Sequence, residues 1–280
     1  MKTLAIIMTV HNRKEKTLKC LESISRVMNI PPYDVIICDD ASSDGTAEEV
    51  MKKYPDIIIV KGSGNCFWTR GMYLAMKEAR KRDYDLYLMV NDDVQFSQEM
   101  WNIMNETLSE RRNIGVTGAT RSSLTEELTY SGAKFYHADG ETYVGSKIMP
   151  NGRIDNECDV ANWNCFLITK DVVNRVGIID PVYEHSFGDF DYSLRMRTNG
   201  MRIFVSKEYI GFCENNSISG TYRDGNLSCY KRIKKVLAPT GLPFKSWSIF
   251  VNRYYNKNRI KNIFGPYVKM LIAILLRKDC

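Results

Sequence analysis

The sequence has only three histidines, scattered at positions 11, 137 and 185, and none of its eight cysteines forms a C-x-x-C pair. A histidine metal centre, a zinc ribbon and a dithiol redox motif are therefore not expected. No apolar run approaches the ~20 residues that a membrane span needs. There is no internal repeat, no low-complexity segment and no recognised nucleic-acid motif, so nucleic acid is not an expected partner. The apolar start, Met1 to Met8, lacks a small-residue cleavage site, and His11-Asn12-Arg13 follows at once. A first core strand is expected there rather than a leader. Several cysteines lie inside apolar runs, as reduced core thiols of a cytoplasmic protein do.

The chain does have enough apolar residues for a core. Of 280 residues, 44% are hydrophobic and 26% charged, which suits one large domain or a domain with an appendage. The net charge of +6 is unevenly spread. Positions 228–280 carry 12 Lys and Arg against one acid, Asp279, while the rest carries 27 basic and 32 acidic residues. We expect a body over 1–227 and a basic amphipathic extension over 228–280. In that extension basic residues alternate with Ile249, Phe250, Tyr254, Ile260, Ile263 and Phe264. Such a segment suits an anionic membrane surface. A helical subdomain packed on the body, or an oligomer interface through the apolar residues 270–276, would use the same pattern.

Hydropathy along the first 119 residues alternates between strand and helix. Apolar runs at 4–10, 35–38, 57–60 and 86–90 read as buried parallel strands. Helical periodicity is expected over 14–28, from Thr46 (which opens a T-x-x-E capping box with Glu49), around 72–79, and over 97–112. The alternation implies a parallel sheet with helices on both faces. After a strand at 114–119, the Gly-, Asn-, Thr- and Tyr-rich residues 120–165 suit mixed, partly antiparallel strands. A short helix is expected at 171–176 and another from near Asp189, closed by Asn199-Gly200.

Acids collect where these strands end. Val35 to Cys38 runs into Asp39-Asp40, and Leu86 to Val90 runs into Asn91-Asp92-Asp93. Ligands of open α/β sheets bind beyond the carboxyl ends of strands. Paired acids there can hold a divalent cation; each pair can also simply cap the next helix. Asp189 and Asp191 fall in the first turn of their helix, where acids also complement the dipole.

Taken in order, these segments resemble family 2 of the inverting nucleotide-sugar glycosyltransferases, which have the GT-A fold. The resemblance covers roughly residues 3–215. It is carried by Thr9-Val10-His11-Asn12-Arg13, Asp39-Asp40-Ala41-Ser42-Ser43-Asp44-Gly45-Thr46, Asn91-Asp92-Asp93 at the D-x-D position, and Gly188-Asp189-Phe190-Asp191-Tyr192 with Arg195. Gly64-Asn65-Cys66-Phe67-Trp68-Thr69-Arg70-Gly71-Met72 is similar to a loop found in one subset.

The resemblance implies an α/β, Rossmann-like GT-A domain with a nucleotide-sugar-binding half at 1–119 and an acceptor half at 120–227. It implies a nucleotide-sugar pocket formed by Thr9, Asn12, Asp39, Asp40, Asn65, Trp68, Arg70, Asn91 and Asp92. It further implies Mg2+ or Mn2+ at Asp93 and Asp189 as general base with Asp191 beside it. Apart from the resemblance, Trp163 could stack on an acceptor sugar or be an ordinary core tryptophan, and His185, close in sequence to Asp189, could contact the acceptor or be a structural histidine. The acceptor would be a glycan or lipid-linked glycan of bacterial surface-polysaccharide type, met at the inner face of the cell membrane. Three departures stand out. Asn91 replaces the first Asp of D-x-D, Gly188 stands where many members have Glu, and Cys213 or Glu214 stands where many have a metal-binding His. Two other readings are a GT-A-fold nucleotidyltransferase and a non-catalytic membrane or polyanion-binding protein. The first calls for a glycine-rich phosphate loop after strand one, where only His11-Asn12-Arg13 is present.

Overall fold

The computed structural model describes residues 2–109, 111–138 and 141–276. The final residues of the basic tail, 277–280 with Asp279 and Cys280, lie outside the described residues. The expected α/β architecture is present. The first half runs β1 (Leu4–Val10), α1 (Lys14–Ser25), β2 (Tyr33–Asp39), α2 (Thr46–Lys53), β3 (Ile58–Lys61), α3 (Phe67–Ala79) and β4 (Leu86–Val90). Then come β5 (Gln95–Phe96), α4 (Met100–Leu108), β6 (Ile114–Arg121), β7 (Leu128–Tyr130), β8 (Gly132–Ala138) and β9 (Glu141–Lys147). The body continues with β10 (Glu157–Cys158), β11 (Val160–Ala161), β12 (Cys165–Thr169), α5 (Lys170–Val176), α6 (Gly188–Thr198) and β13 (Arg202–Phe212). The tail holds α7 (Cys229–Val236), α8 (Phe244–Tyr254) and α9 (Arg259–Leu275).

The main sheet has the order β10-β13-β6-β12-β4-β1-β2-β3. β1 lies between β4 and β2, parallel to both, while β12 enters antiparallel between β4 and β6. Both faces of the sheet are covered, which is why these strands are continuously apolar. One core layer includes Cys20, Leu21 and Ile24 of α1 with Met100, Met104 and Leu108 of α4. The opposite layer includes Met72, Ala75, Met76 and Ala79 of α3 with Val172, Tyr192 and Met196. Because β1, β2 and β4 run in one direction, with Val10 in register with Asp39, the loops that follow them open on the same edge.

Local details depart from the sequence reading for tertiary reasons. The helix expected over 97–112 is α4 alone, because β5 pairs with β13 and the Ser97 amide donates to the Ile210 carbonyl at 2.9 Å. The residue capping α2 is not Thr46: Asp44 accepts from the Thr46 amide at 3.0 Å, and Gly45 turns the chain at φ 79°. The tail is corrected more deeply. Phe250, Val251 and Tyr255, from α8 and the residue after it, are buried with Ala133, Phe135, Val160, Tyr183 and Leu194 of the body. The segment from 228 onward is thus not one separate extension, since α8 belongs to the core. In α9, only Ile274 is buried.

Candidate active site

At the sheet edge, turns lock to one another through short polar side chains. Asn12, in the left-handed region at φ 52°, accepts from the Ser43 amide at 2.7 Å, and its own amide donates to Ser42 Oγ at 2.9 Å. Asp39 accepts from the Ser42 amide at 3.2 Å. Asp40 is buried and accepts from the amides of Gly64 at 2.7 Å, Cys66 at 2.9 Å and Phe67 at 3.0 Å. It therefore folds the 62–67 loop onto the edge and fixes the start of α3. Gly62 must be glycine here, since a Cβ would lie 2.6 Å from Asp40 Oδ1 and 2.8 Å from its Cα.

α3 joins the 62–67 loop to the turn at 184–188. Thr69 donates from its amide to the Glu184 carbonyl at 3.0 Å and from its hydroxyl to the His185 carbonyl at 2.7 Å. Gly188 sits directly against Thr69, and a Cβ there would come within 2.4 Å of the Thr69 methyl. The glutamate common at this position in the resembling family therefore has no space in this chain.

These loops enclose a cavity of about 600 Å³, within the size range of ligand pockets. Of the residues singled out in the sequence, Thr9, Asp40, Trp68, Asn91, Asp92, Asp93, Trp163, His185 and Asp189 line it. Asn12, Asp39, Asn65, Arg70 and Asp191 do not. Asn12 and Asp39 shape the turns described above, and the Asn65 amide donates to Ser63 Oγ at 3.3 Å. Arg70 is taken up by the Pro181 carbonyl at 3.2 Å and the Glu184 carboxylate at 3.2 Å. Arg195 is likewise committed to Asp191 at 2.8 Å and to the carbonyls of Val176 and Ile178. Neither guanidinium lines the cavity.

Arg13, quoted above within a motif but given no role, does line the cavity. Its guanidinium pairs with Asp93 and lies 3.3 Å from Asp92, at the cavity wall. A basic residue just past a parallel strand, at the edge where the acids gather, was the available signal. Burial pushes the Asp92 carboxyl up to about 7, against the lowering effect of Arg13. Asn91, in place of the first D-x-D acid, accepts from Trp68 Nε1 at 2.8 Å.

Other candidate metal ligands give little. Cys213 Sγ is 3.6 Å from Asp93 Oδ1; it is a soft donor that does not suit a hard cation, and burial pushes its thiol up to about 12. Glu214 turns away to Ser122 and Ser123, at 2.6 and 2.7 Å. Among the described residues there is no group of three or more His, Cys, Asp or Glu that could hold a metal. The donor set fits a hard cation completed by substrate phosphates, as Mg2+ sites with one or two carboxylates are. It does not fit a cation held by protein alone.

Asp189 lines the same cavity. It follows Phe187, a non-glycine residue at φ 76°, whose ring stacks on Phe250 at 5.2 Å and contacts Trp247 at 5.4 Å. The α8 aromatics thus hold the strained turn that presents the acid. Asp189 accepts from the Phe190 amide at 2.9 Å, the Asn162 side chain at 3.4 Å and the Trp163 backbone N–H. No cation pairs with it among the described residues, and burial pushes its carboxyl up to about 6. Trp163 stacks on Phe166 at 5.5 Å, and its indole Nε1 has no partner among the described residues. Trp163 is only 1% exposed and belongs to the core layer packed with Phe166 and Tyr192. Burial keeps His185 neutral. Asn162, Asn164, Tyr130, Asn216 and Thr240 also line the cavity and were not singled out from sequence.

Asp191, two residues further along, is fully buried. It is bound by Arg195 and Arg253, each at 2.8 Å, by Tyr254 Oη at 2.7 Å and by Tyr183 Oη at 3.2 Å. These bonds fasten α6 to α8, and Asp191, expected beside the base, does not line the cavity.

Comparison with known proteins follows this geometry. A model of the family described as Glycosyl transferase family 2 matches residues 5–177. Sequence comparison with curated proteins finds no significant match. Among solved structures, the mannosyltransferase PcManGT from Pyrobaculum calidifontis, in complex with GDP-Man and Mn2+, is similar over 99% of this chain and 73% of its own. The TM-score is 0.57 at 12% identity. TarS 1-349 of S. aureus, in complex with UDP-GlcNAc, matches over 99% and 72% at TM-score 0.56 and 14% identity. GalNAc-T7, with UDP, GalNAc and Mn2+, matches over 99% and 56% at TM-score 0.55 and 11% identity. What is shared at these identities is the GT-A fold.

Proposed function

The chain belongs to glycosyl transferase family 2, and from that premise we propose that it moves a hexose from a nucleoside-diphosphate donor to a hydroxyl of a glycan or lipid-linked glycan, with inversion at the anomeric carbon. One observation carries this reading. A single cavity is lined both by the Asp92–Asp93–Arg13 cluster at the sheet edge and by Asp189, a half-buried carboxylate with no cationic partner among the described residues. The first suits a diphosphate and the second suits a hydroxyl.

The nucleoside would lie along Thr9 and Asp40, with the diphosphate beside Asp92, Asp93 and Arg13. Mg2+ or Mn2+, when bound through Asp93 and the donor's phosphates, would neutralise charge on the departing diphosphate. Arg13 would add a fixed positive charge next to the same oxygens. Asp189, ionised at neutral pH yet basic enough at about 6, would take the proton of the acceptor hydroxyl as it attacks the anomeric carbon. The anomeric bond to the diphosphate breaks on the opposite face, and the nucleoside diphosphate leaves. Trp163 and His185 would contact the sugars. Bacterial surface-polysaccharide assembly, at the cytoplasmic side of the cell membrane, is the setting that suits such an acceptor. No helix among the described residues is long and apolar enough to cross a membrane.

The test is Asp189→Asn. Turnover should fall by about 10²–10⁴, while nucleotide-sugar binding measured by calorimetry persists. Unchanged turnover would remove Asp189 as the base. A panel of nucleotide sugars read by thermal stabilisation with Mn2+ or Mg2+ identifies the donor.

A further inference from the structure

We propose that α7, α9 and the loop joining α7 to α8 form one face that docks on an anionic lipid surface, with the cavity mouth at its border. On α9 the residues Ile260, Phe264, Val268, Leu271 and Leu275 recur every three or four positions, so they share one side of the helix. They are between 44% and 76% exposed. The helix is about 25 Å long at 1.5 Å per residue, so this stripe is a sizeable apolar surface left open to water. On α7, Tyr230, Ile233 and Leu237 repeat the same spacing and are also exposed. The two helices are joined by Cys229 Sγ donating to the Ile274 carbonyl at 3.5 Å. Phe244, at the start of α8, packs its exposed ring on Phe264 and Tyr267 of α9.

Charge selects the occupant. No Asp or Glu occurs between Asp224 and Asp279, while Lys231, Lys234 and Lys235 lie on α7 and Arg259 and Lys269 on α9; Lys261 is paired with Glu141 at 2.6 Å. A second copy of this chain would bring like charges together. A nucleic acid has no use for the apolar stripe. An anionic bilayer takes both, the stripe in its acyl boundary and the lysines among its headgroups. Neither helix spans, so the binding is interfacial.

The face adjoins the cavity. Thr240, in the loop between exposed Leu237 and exposed Phe244, lines the same cavity as Asp189. An acceptor anchored in the membrane would then meet Asp189 from the plane in which its lipid lies. That second point rests on the glycosyl-transfer reading; the docking does not.

The experiment is co-sedimentation of the full chain with phosphatidylcholine vesicles, with and without phosphatidylglycerol. The variants are Val268→Glu/Leu271→Glu and Lys231→Glu/Lys234→Glu, all on exposed helix faces. The parent should bind the anionic vesicles, and each variant should lose on the order of tenfold or more, with unchanged thermal melting and unchanged hydrolysis of the nucleotide sugar in solution. The proposal fails if the parent stays in the supernatant, or if the variants bind as the parent does. It also fails if the parent sediments as a dimer that Val268→Glu/Leu271→Glu dissociates, since the face is then a self-contact. Vesicle binding without any donor turnover upholds the docking and overturns the transfer reading.

Discussion

Two parts of the cavity lining treat their acids differently. At the sheet edge, Asp92 and Asp93 share the guanidinium of Arg13. At the start of α6, Asp189 meets only amide groups. Burial raises the affinity of Asp92 and of Asp189 for protons, so burial alone does not distinguish the two. The cation does. A carboxylate pair with a resident positive charge can exchange that partner for a metal or keep it beside phosphate. A lone carboxylate with only neutral donors is left free to accept a proton.

The sharpest contrast lies inside α6, between Asp189 and Asp191. Asp191→Ala should cost about 3–5 kcal/mol of stability, because it strands Arg195 and part of Arg253 in a buried network. Urea unfolding measures this, and a folded, equally stable but inactive variant would return Asp191 to the catalytic site. Gly188→Glu, which restores the glutamate common in the family, should destabilise by about 1–3 kcal/mol through overpacking against Thr69. A neutral melting temperature would show that the 184–188 turn can move away from α3.

Arg13→Gln addresses the donor end. It should weaken nucleoside-diphosphate binding about tenfold while leaving the base intact, so KM for the donor should rise more than kcat falls. In the same variant Mn2+ binding without nucleotide, followed by electron paramagnetic resonance, should strengthen, because Arg13 no longer occupies Asp93. Equal Mn2+ affinity in parent and variant would mean that the guanidinium does not compete for that carboxylate.

The smallest effects are in pH dependence. With Asp189 titrating at about 6, kcat/KM should fall tenfold per pH unit below that value and level off above it. The folded pKa of Asp92, about 7, lies above the unfolded value of about 3.9. Its contribution to stability is therefore fully present below the unfolded value and is lost as pH rises through about 7. Asp92→Asn should accordingly raise the melting temperature more at pH 8 than at pH 5.

The donor edge was legible because it is built from strand ends. Apolar runs at 4–10 and 86–90 fix β1 and β4, parallel pairing fixes their direction, and Asp39-Asp40 and Asn91-Asp92-Asp93 then have to emerge together. Arg13 was overlooked since its partners are about 80 residues away. Arg70 was misassigned for the converse reason: its neighbours in sequence suggested phosphate, but Glu184 and Pro181 fold against it. The tail shows the same limit. α8 and α9 are both aromatic and basic, yet Phe250 and Val251 are buried and Phe264 and Val268 are exposed.

By itself the sequence determined the α/β alternation, the family, the sheet edge at which acids collect and the acid that opens α6, because each depends on local periodicity or on one shared strand direction. Tertiary structure alone decided which acid and which arginine line the cavity and which tail helix joins the core. Asp189 and Asp191 are two residues apart in one helical turn, so they point to different sides of α6. Only the packing of α8 against one of those sides made Asp191 a buried anchor and left Asp189 open to the cavity.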